Sequence, residues 1–114
     1  MQVSKKNMRM YELFLRALSN ETRLSVLRLL RTGPKSVNAI GEELGFEQSR
    51  VSHNLKCLLN CGFVQVEQRG KMRVYRLNEE TIASLFDTID RHVRMFGERL
   101  ETCSTLADVK AIET

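Results

Sequence analysis

The sequence predicts a mainly α-helical chain with one β-hairpin, in the order α-α-α-α-β-β-α. Three observations predict it. Apolar residues recur at helical spacing in five segments, glycine or proline closes three of them, and two short runs of strand-forming residues flank Arg69-Gly70-Lys71. Residues 8 to 18 set Met10, Leu13, Phe14, Ala17 and Leu18 at helical spacing, and Ser19-Asn20 interrupts with capping chemistry. From Glu21 to Arg31 the period continues through Leu24, Val26, Leu27 and Leu30 until Gly33-Pro34 stops it. Ser36 is placed to cap a short third helix bearing Val37, Ile40 and Leu44, and Gly45 suits its left-handed carboxyl end. A fourth helix, from about Glu47 to Asn60, is expected to bury Val51, Leu55, Leu58 and Leu59, with Gly62 closing it.

Two short helices joined by a tight glycine-containing turn form a helix-turn-helix pattern. After Gly62, Phe63 to Gln68 and Met72 to Leu77 read as strands, with Val64, Val66, Val74 and Tyr75 supplying strand formers around a basic hairpin tip. Together these make a winged helix-turn-helix. The last helix, about 79–101, repeats Ile82, Leu85, Phe86, Ile89, Val93, Phe96 and Leu100 on one stripe. That is more apolar surface than one neighbour in so small a chain requires, so it reads in part as a seam with a second copy; an ordinary core-facing helix would show the same period. The tail, 102–114, is expected to be flexible. Residues 1–114 therefore read as one winged-helix domain whose last helix is in part a seam with a second copy.

With 114 residues and 42% apolar content the chain can bury one modest core, and pairing with another copy would add stability. Eighteen Lys and Arg against fourteen Asp and Glu give a formal charge of +4, which favours a polyanionic partner. The basic residues gather at Lys5/Lys6/Arg9, Arg50/His53/Lys56 and Arg69/Lys71/Arg73. No apolar run approaches the ~18 residues a bilayer requires, and the amino end lacks a signal peptide's apolar stretch, so a cytoplasmic chain without a membrane partner is expected. No His/Cys pair at suggestive spacing, phosphate-binding glycine loop or carboxylate cluster points to an enzyme or a small-molecule substrate.

A helix-turn-helix directs the start of its second helix into the major groove. Gln48-Ser49-Arg50-Val51-Ser52-His53 has the composition for reading bases there. Gln48 can pair with adenine, Arg50 with guanine, and Ser49 or Ser52 with phosphate or base, while Lys56 adds charge. A solvated amphipathic helix would look similar. The adjoining cations Arg69, Lys71 and Arg73, around a glycine-permitted turn, favour duplex DNA as the partner through its flanking backbone or minor groove.

Three cysteines are an odd number in a reducing compartment, which leaves free thiols or metal ligands. Cys57 and Cys61, one helical turn apart, project from one face and can share a thiophilic ion; the helical wheel sets Cys57 clear of the buried side and Cys61 less so. A small-core role remains open for both. Two sulfurs alone make a weak, open site, and Cys103 is the remaining sulfur donor of that kind, either as a third ligand from an opposite protomer or as an incidental thiol. A nearby pair can also oxidise, which keeps a redox or persulfide sensor in view. A protein-interaction module on the same fold is a further alternative.

The stretches Ala17-Leu18-Ser19-Asn20-Glu21-Thr22-Arg23-Leu24, Gln48-Ser49-Arg50-Val51-Ser52-His53-Asn54-Leu55-Lys56 and Gly70-Lys71-Met72-Arg73-Val74-Tyr75, in that order over roughly residues 10 to 95, resemble the ArsR/SmtB family of metal-responsive repressors. The resemblance implies a homodimeric winged-helix repressor of operator DNA, built on the first and last helices. Glu47 departs from it, standing where a small capping residue such as Ser is common. Ser52-His53-Asn54-Leu55-Lys56-Cys57-Leu58-Leu59-Asn60-Cys61-Gly62 resembles the CmtR-type cadmium- and lead-sensing branch, which implies a trithiolate site of Cys57, Cys61 and Cys103 and Cd(II) or Pb(II), or else Zn(II), as inducer. Other sites of the family lack their ligands: the third helix reads Val37-Asn38-Ala39-Ile40, and a zinc-type site on the last helix would fall on Glu79, Thr81, His92 and Met95. His92 reads as a polar residue beside the seam.

Overall fold

The structure, a computed structural model, describes residues 4–106; residues 107–114 of the expected flexible tail lie outside them. The order is α1 (Lys5–Leu18), α2 (Glu21–Leu30), β1 (Lys35–Ser36), α3 (Val37–Leu44), α4 (Gln48–Asn60), β2 (Val64–Arg69), β3 (Met72–Leu77) and α5 (Ala83–Glu101). The chain divides after Asn78 into two compact units.

In the first unit, side-chain caps set the helix starts. Ser4 accepts from the Asn7 amide, Asn20 from Arg23 and Ser36 from Ala39, each supplying one of the hydrogen bonds that a first turn leaves unmade. Ser4 starts α1 three residues ahead of the sequence expectation, because Lys5, Lys6 and Asn7 are polar and extend no apolar period. Gly45 ends α3 at φ +71°, a conformation glycine adopts without the steric penalty of a side chain, and α4 begins three residues later. The core consists of Val26, Leu27, Leu30, Ile40, Val51, Leu55, Leu58, Phe63, Val64, Val74, Tyr75 and Leu77, contributed by α2, α3, α4, the sheet and the α4–β2 turn. Leu59, expected among them, is half-buried, and Asn54 takes the inward place instead.

The expected hairpin is present, and β1 makes it a three-stranded antiparallel sheet in the order β1-β3-β2. Lys35 pairs with Tyr75 and Ser36 with Val74, so β1 ties the start of α3 to the wing. Arg69 pairs with Met72, which leaves Gly70 and Lys71 as a two-residue loop, with Gly70 at φ +61°. On α1, by contrast, no residue is buried, and Met10, Tyr11 and Leu15 stand exposed, although Phe14 packs against Phe63 with the rings tilted and their centroids 5.0 Å apart.

In the second unit α5 starts at Ala83, later than expected. Asn78 closes the base of the hairpin, donating from its backbone to Phe63 O at 3.0 Å and from Nδ2 to Gly62 O at 2.8 Å, and Glu79 to Ile82 form a turn before the helix. No helix among the described residues is long and apolar enough to cross a membrane.

Candidate functional site

Helix α4 is held from behind and open in front. Val51, Leu55 and Leu58 are fully buried, while Gln48, Ser49, Arg50, Ser52, His53 and Lys56 are exposed on the same helix. Its amino end has an unusual cap: Glu47 occupies the N-cap position but its side chain makes no capping hydrogen bond. The carboxylate is favourable beside the positive end of the helix, yet it leaves the first-turn amides without the side-chain acceptor that a Ser would supply.

Arg50 is engaged within the fold. Its Nε and Nη2 donate to Thr22 Oγ1 at 2.8 and 2.6 Å, and its guanidinium lies 3.8 Å above the Phe46 ring centroid. Thr22 is buried on α2 and Phe46 sits in the α3–α4 turn, so this one side chain ties the start of α4 to both. Asn54 reinforces the arrangement by donating from Nδ2 to Arg50 O at 2.9 Å. Sequence reasoning missed both contacts: the Thr22 partner is 28 residues away, and Asn54 looked like a flanking polar residue.

At the wing, Arg69 is ion-paired to Glu67 across an exposed strand face. Lys71 and Arg73 are also exposed and have no ion-pair partner among the described residues; Arg73 lies 5.8 Å from the Tyr75 ring centroid. Two of the three expected wing cations are thus available to an outside anion.

The thiols Cys57 and Cys61 neighbour each other, one helical turn apart, at the carboxyl end of α4. Cys57 is half-buried and Cys61 exposed, the reverse of the order the helical wheel gives. Cys61 is the C-cap, with φ −89° and ψ 0°, and so leaves the helical period. Partial desolvation pushes the Cys61 thiol pKa up, the neighbouring Cys57 thiol pushes it further, and the positive charge of Arg23 opposes them. Arg23 itself donates from Nε to Ala17 O at 2.7 Å and from Nη2 to Arg16 O at 3.2 Å, satisfying the end of α1.

Among the described residues of one chain, no three His, Cys, Asp or Glu side chains converge. The pair of soft sulfurs therefore fits two ligands of a thiophilic ion, with any third donor coming from elsewhere. Cys103, in the second unit, is half-buried in a small apolar hollow with His92, Phe96 and Leu100. His92 packs on Phe96 at 5.0 Å between ring centroids.

Comparison with known proteins fits this geometry. The model of the family "Bacterial regulatory protein, arsR family" matches residues 20–66, from the cap of α2 into β2. The solution structure of the homodimeric winged helix-turn-helix DNA-binding domain of Mb0332 from Mycobacterium bovis, described as a possible ArsR-family transcriptional regulator, superposes with a TM-score of 0.70 at 30% identity, covering 90% of this chain and 94% of that one. The chain belongs to the ArsR family. Another relative is the HTH-type transcriptional regulator NmtR of Mycobacterium tuberculosis, 41% identical over 78 residues that cover 68% of this chain and 65% of NmtR. The probable mercury resistance operon repressor of Streptomyces lividans is 36% identical over 72 residues, covering 63% of this chain and 58% of that protein. This ArsR-family chain thus spans less than two thirds of the length of these two relatives. The matched family segment contains Thr22, Arg23, Arg50, Cys57 and Cys61, whereas the wing cations and Cys103 lie beyond it.

Proposed function

We propose that this ArsR-family chain is a transcriptional repressor that binds duplex operator DNA as a homodimer and is released when a thiophilic divalent ion, Cd(II) or Pb(II), is held by cysteine thiolates. One observation carries the reading: the thiol pair Cys57 and Cys61 closes the same helix whose opposite end presents Gln48, Ser49, Ser52 and His53 to solvent. Ligand capture at one end of a rigid 13-residue rod is therefore felt at the reading end. The similarity to a mercury-resistance repressor supports a thiophilic inducer.

In this reading Ser49, Ser52, His53 and Lys56 meet the major groove, and Lys71 and Arg73 meet the backbone, with Arg69 supporting the hairpin through Glu67. Arg50 acts from behind by fixing the helix against Thr22. The exposed apolar side chains of α1 and α5, among them Met10, Tyr11, Leu15, Val93 and Met95, supply the faces for a second copy. When bound, a soft divalent ion supplies strong bonds to thiolate sulfur. Cys57 and Cys61 release their protons to solvent and hold the end of α4 in one geometry, and Cys103 of the opposite protomer supplies the third sulfur.

Titration with Cd(II), followed by ultraviolet thiolate-to-metal bands, tests this. Three sulfurs per site are expected in the wild type and two in Cys103→Ser; no such band would overturn the metal reading. The adjacency of the two free thiols at the end of α4 also favours a second reading, in which oxidation of Cys57 and Cys61 is the signal. Metal-free peroxide treatment then lowers the thiol count reversibly and releases DNA, whereas the metal reading expects no release.

A further inference from the structure

A shallow cleft of about 200 Å³ opens between the first turn of α3, the first residue of α4 and the tip of the β2–β3 hairpin, with Asn38, Gln48, Lys71, Met72 and Arg73 among its walls. Lys71 and Arg73 have no ion-pair partner, and no acidic side chain lines this cleft among the described residues. On the other side of Asn38 and Gln48 the surface changes sign: the adjoining hollow is lined by Glu42 and Glu47 and by no cation. The two side-chain amides thus form a ridge between a cationic notch and an acidic one.

We infer that Asn38, Gln48, Lys71 and Arg73 clamp one backbone phosphate of duplex DNA between the wing and the start of α3. The inference rests on the DNA-binding reading above and assigns it a sequence-independent anchor. Lys71 and Arg73 bring full positive charge, and Asn38 and Gln48 bring N–H donors, which together suit an anionic tetrahedral group with several acceptor oxygens. The notch is smaller than the roughly 300–1,000 Å³ of small-molecule sites. Its wall at Gln48 continues directly into the exposed row of Ser49, Ser52 and His53, as expected where a duplex lies across all of them. Glu42 and Glu47 repel a phosphate on the far side of the ridge, so the strand is confined to the wing side. Gln48, which the sequence assigned to adenine, becomes a backbone contact, and base reading passes to Ser49, Ser52 and His53. The pairing of β1 with β3 makes the clamp rigid, because Ser36, two residues before Asn38, is in register with Val74, one residue after Arg73.

The test uses the full chain, a labelled duplex of about 30 base pairs that the wild type selects from a random pool, and a scrambled duplex of equal length. Affinity is measured by fluorescence anisotropy across a salt series. Asn38→Asp and Lys71→Gln alter exposed positions, and circular dichroism checks that each variant remains folded. Each is expected to weaken binding to both duplexes by the same factor, about tenfold, leaving their ratio unchanged. Lys71→Gln also reduces the slope of log affinity against log salt by about 0.9. Ser52→Ala, in contrast, lowers the ratio. If either clamp variant binds both duplexes as tightly as wild type, or changes the ratio, the clamp is wrong while DNA binding stands. Replacing chloride by inorganic phosphate at constant ionic strength leaves duplex affinity unchanged; a saturable loss would assign the notch to a free anion instead. A wild type that binds no duplex at low salt overturns both readings.

Discussion

The contact between Arg50 and Thr22 provides a perturbation whose size follows from the geometry. Thr22→Val keeps the shape of the side chain and removes the oxygen that accepts from Arg50 Nε and Nη2 at 2.8 and 2.6 Å. A hydrogen bond to a charged group contributes about 1.5–3 kcal/mol net. Two such bonds share a single oxygen here, and Arg50 is exposed, so water competes for the guanidinium and the pair is discounted to about 1–2 kcal/mol. Because the freed guanidinium can rehydrate, no buried-charge penalty is added. Arg50→Met removes the same bonds from the other side and retains an apolar stem for Phe46, which closes a double-mutant cycle. Urea unfolding at fixed protein concentration should give an interaction energy of about 1–2 kcal/mol, and Thr22→Val alone should lower Tm by roughly 4–8 °C for each kcal/mol lost. Additivity of the two substitutions within about 0.3 kcal/mol would refute a structural role for Arg50.

Two other substitutions probe the ends of α4. Glu47→Ser supplies the missing cap acceptor and removes an acid from the turn beside the proposed phosphate notch; it should stabilise the fold by about 0.5–1 kcal/mol in thermal unfolding and tighten binding to any duplex. At the thiol pair, the folded-state pKa of Cys61 is raised, so the folded chain retains a proton that the unfolded chain releases. This contribution is complete below the ordinary thiol range and is lost as pH rises through the folded-state value. Iodoacetamide should accordingly modify Cys61 more slowly at pH 8 than an unperturbed thiol, and Cys57→Ser should speed that reaction by removing the neighbour that raises it, as followed by mass spectrometry.

The parts of the fold legible in the sequence are those that local chemistry fixes. Gly33-Pro34 and Gly45 end helices, Asn20 and Ser36 cap them, and alternating strand formers flank Gly70. What escaped reading depends on distant partners or on weak local signals. Strand β1 is two residues, Lys35 and Ser36, with no strand-forming pattern of its own; it exists because β3 offers Val74 and Tyr75 some forty positions later. The late start of α5 reflects the turn over Glu79 to Ile82 that follows the base of the hairpin, which no helical period reveals. At the candidate site the exposed face of α4 could be read from spacing, and so could the adjacency of Cys57 and Cys61. The inward turn of Asn54, the anchoring of Arg50 on Thr22 and the pairing of Arg69 with Glu67 could not, because each depends on which of several nearby acceptors the folded backbone brings into range.

The central claim is that the thiol end of α4 controls DNA binding at its other end. Its most direct test is the affinity of the reduced chain for its selected duplex, measured with and without one equivalent of Cd(II) per thiol site at constant salt. A coupling of about 1–3 kcal/mol between the two sites corresponds to a five- to 150-fold loss of affinity in the wild type, and Cys57→Ser should bind DNA normally and lose the response. Equal wild-type affinity with and without the ion would contradict the account.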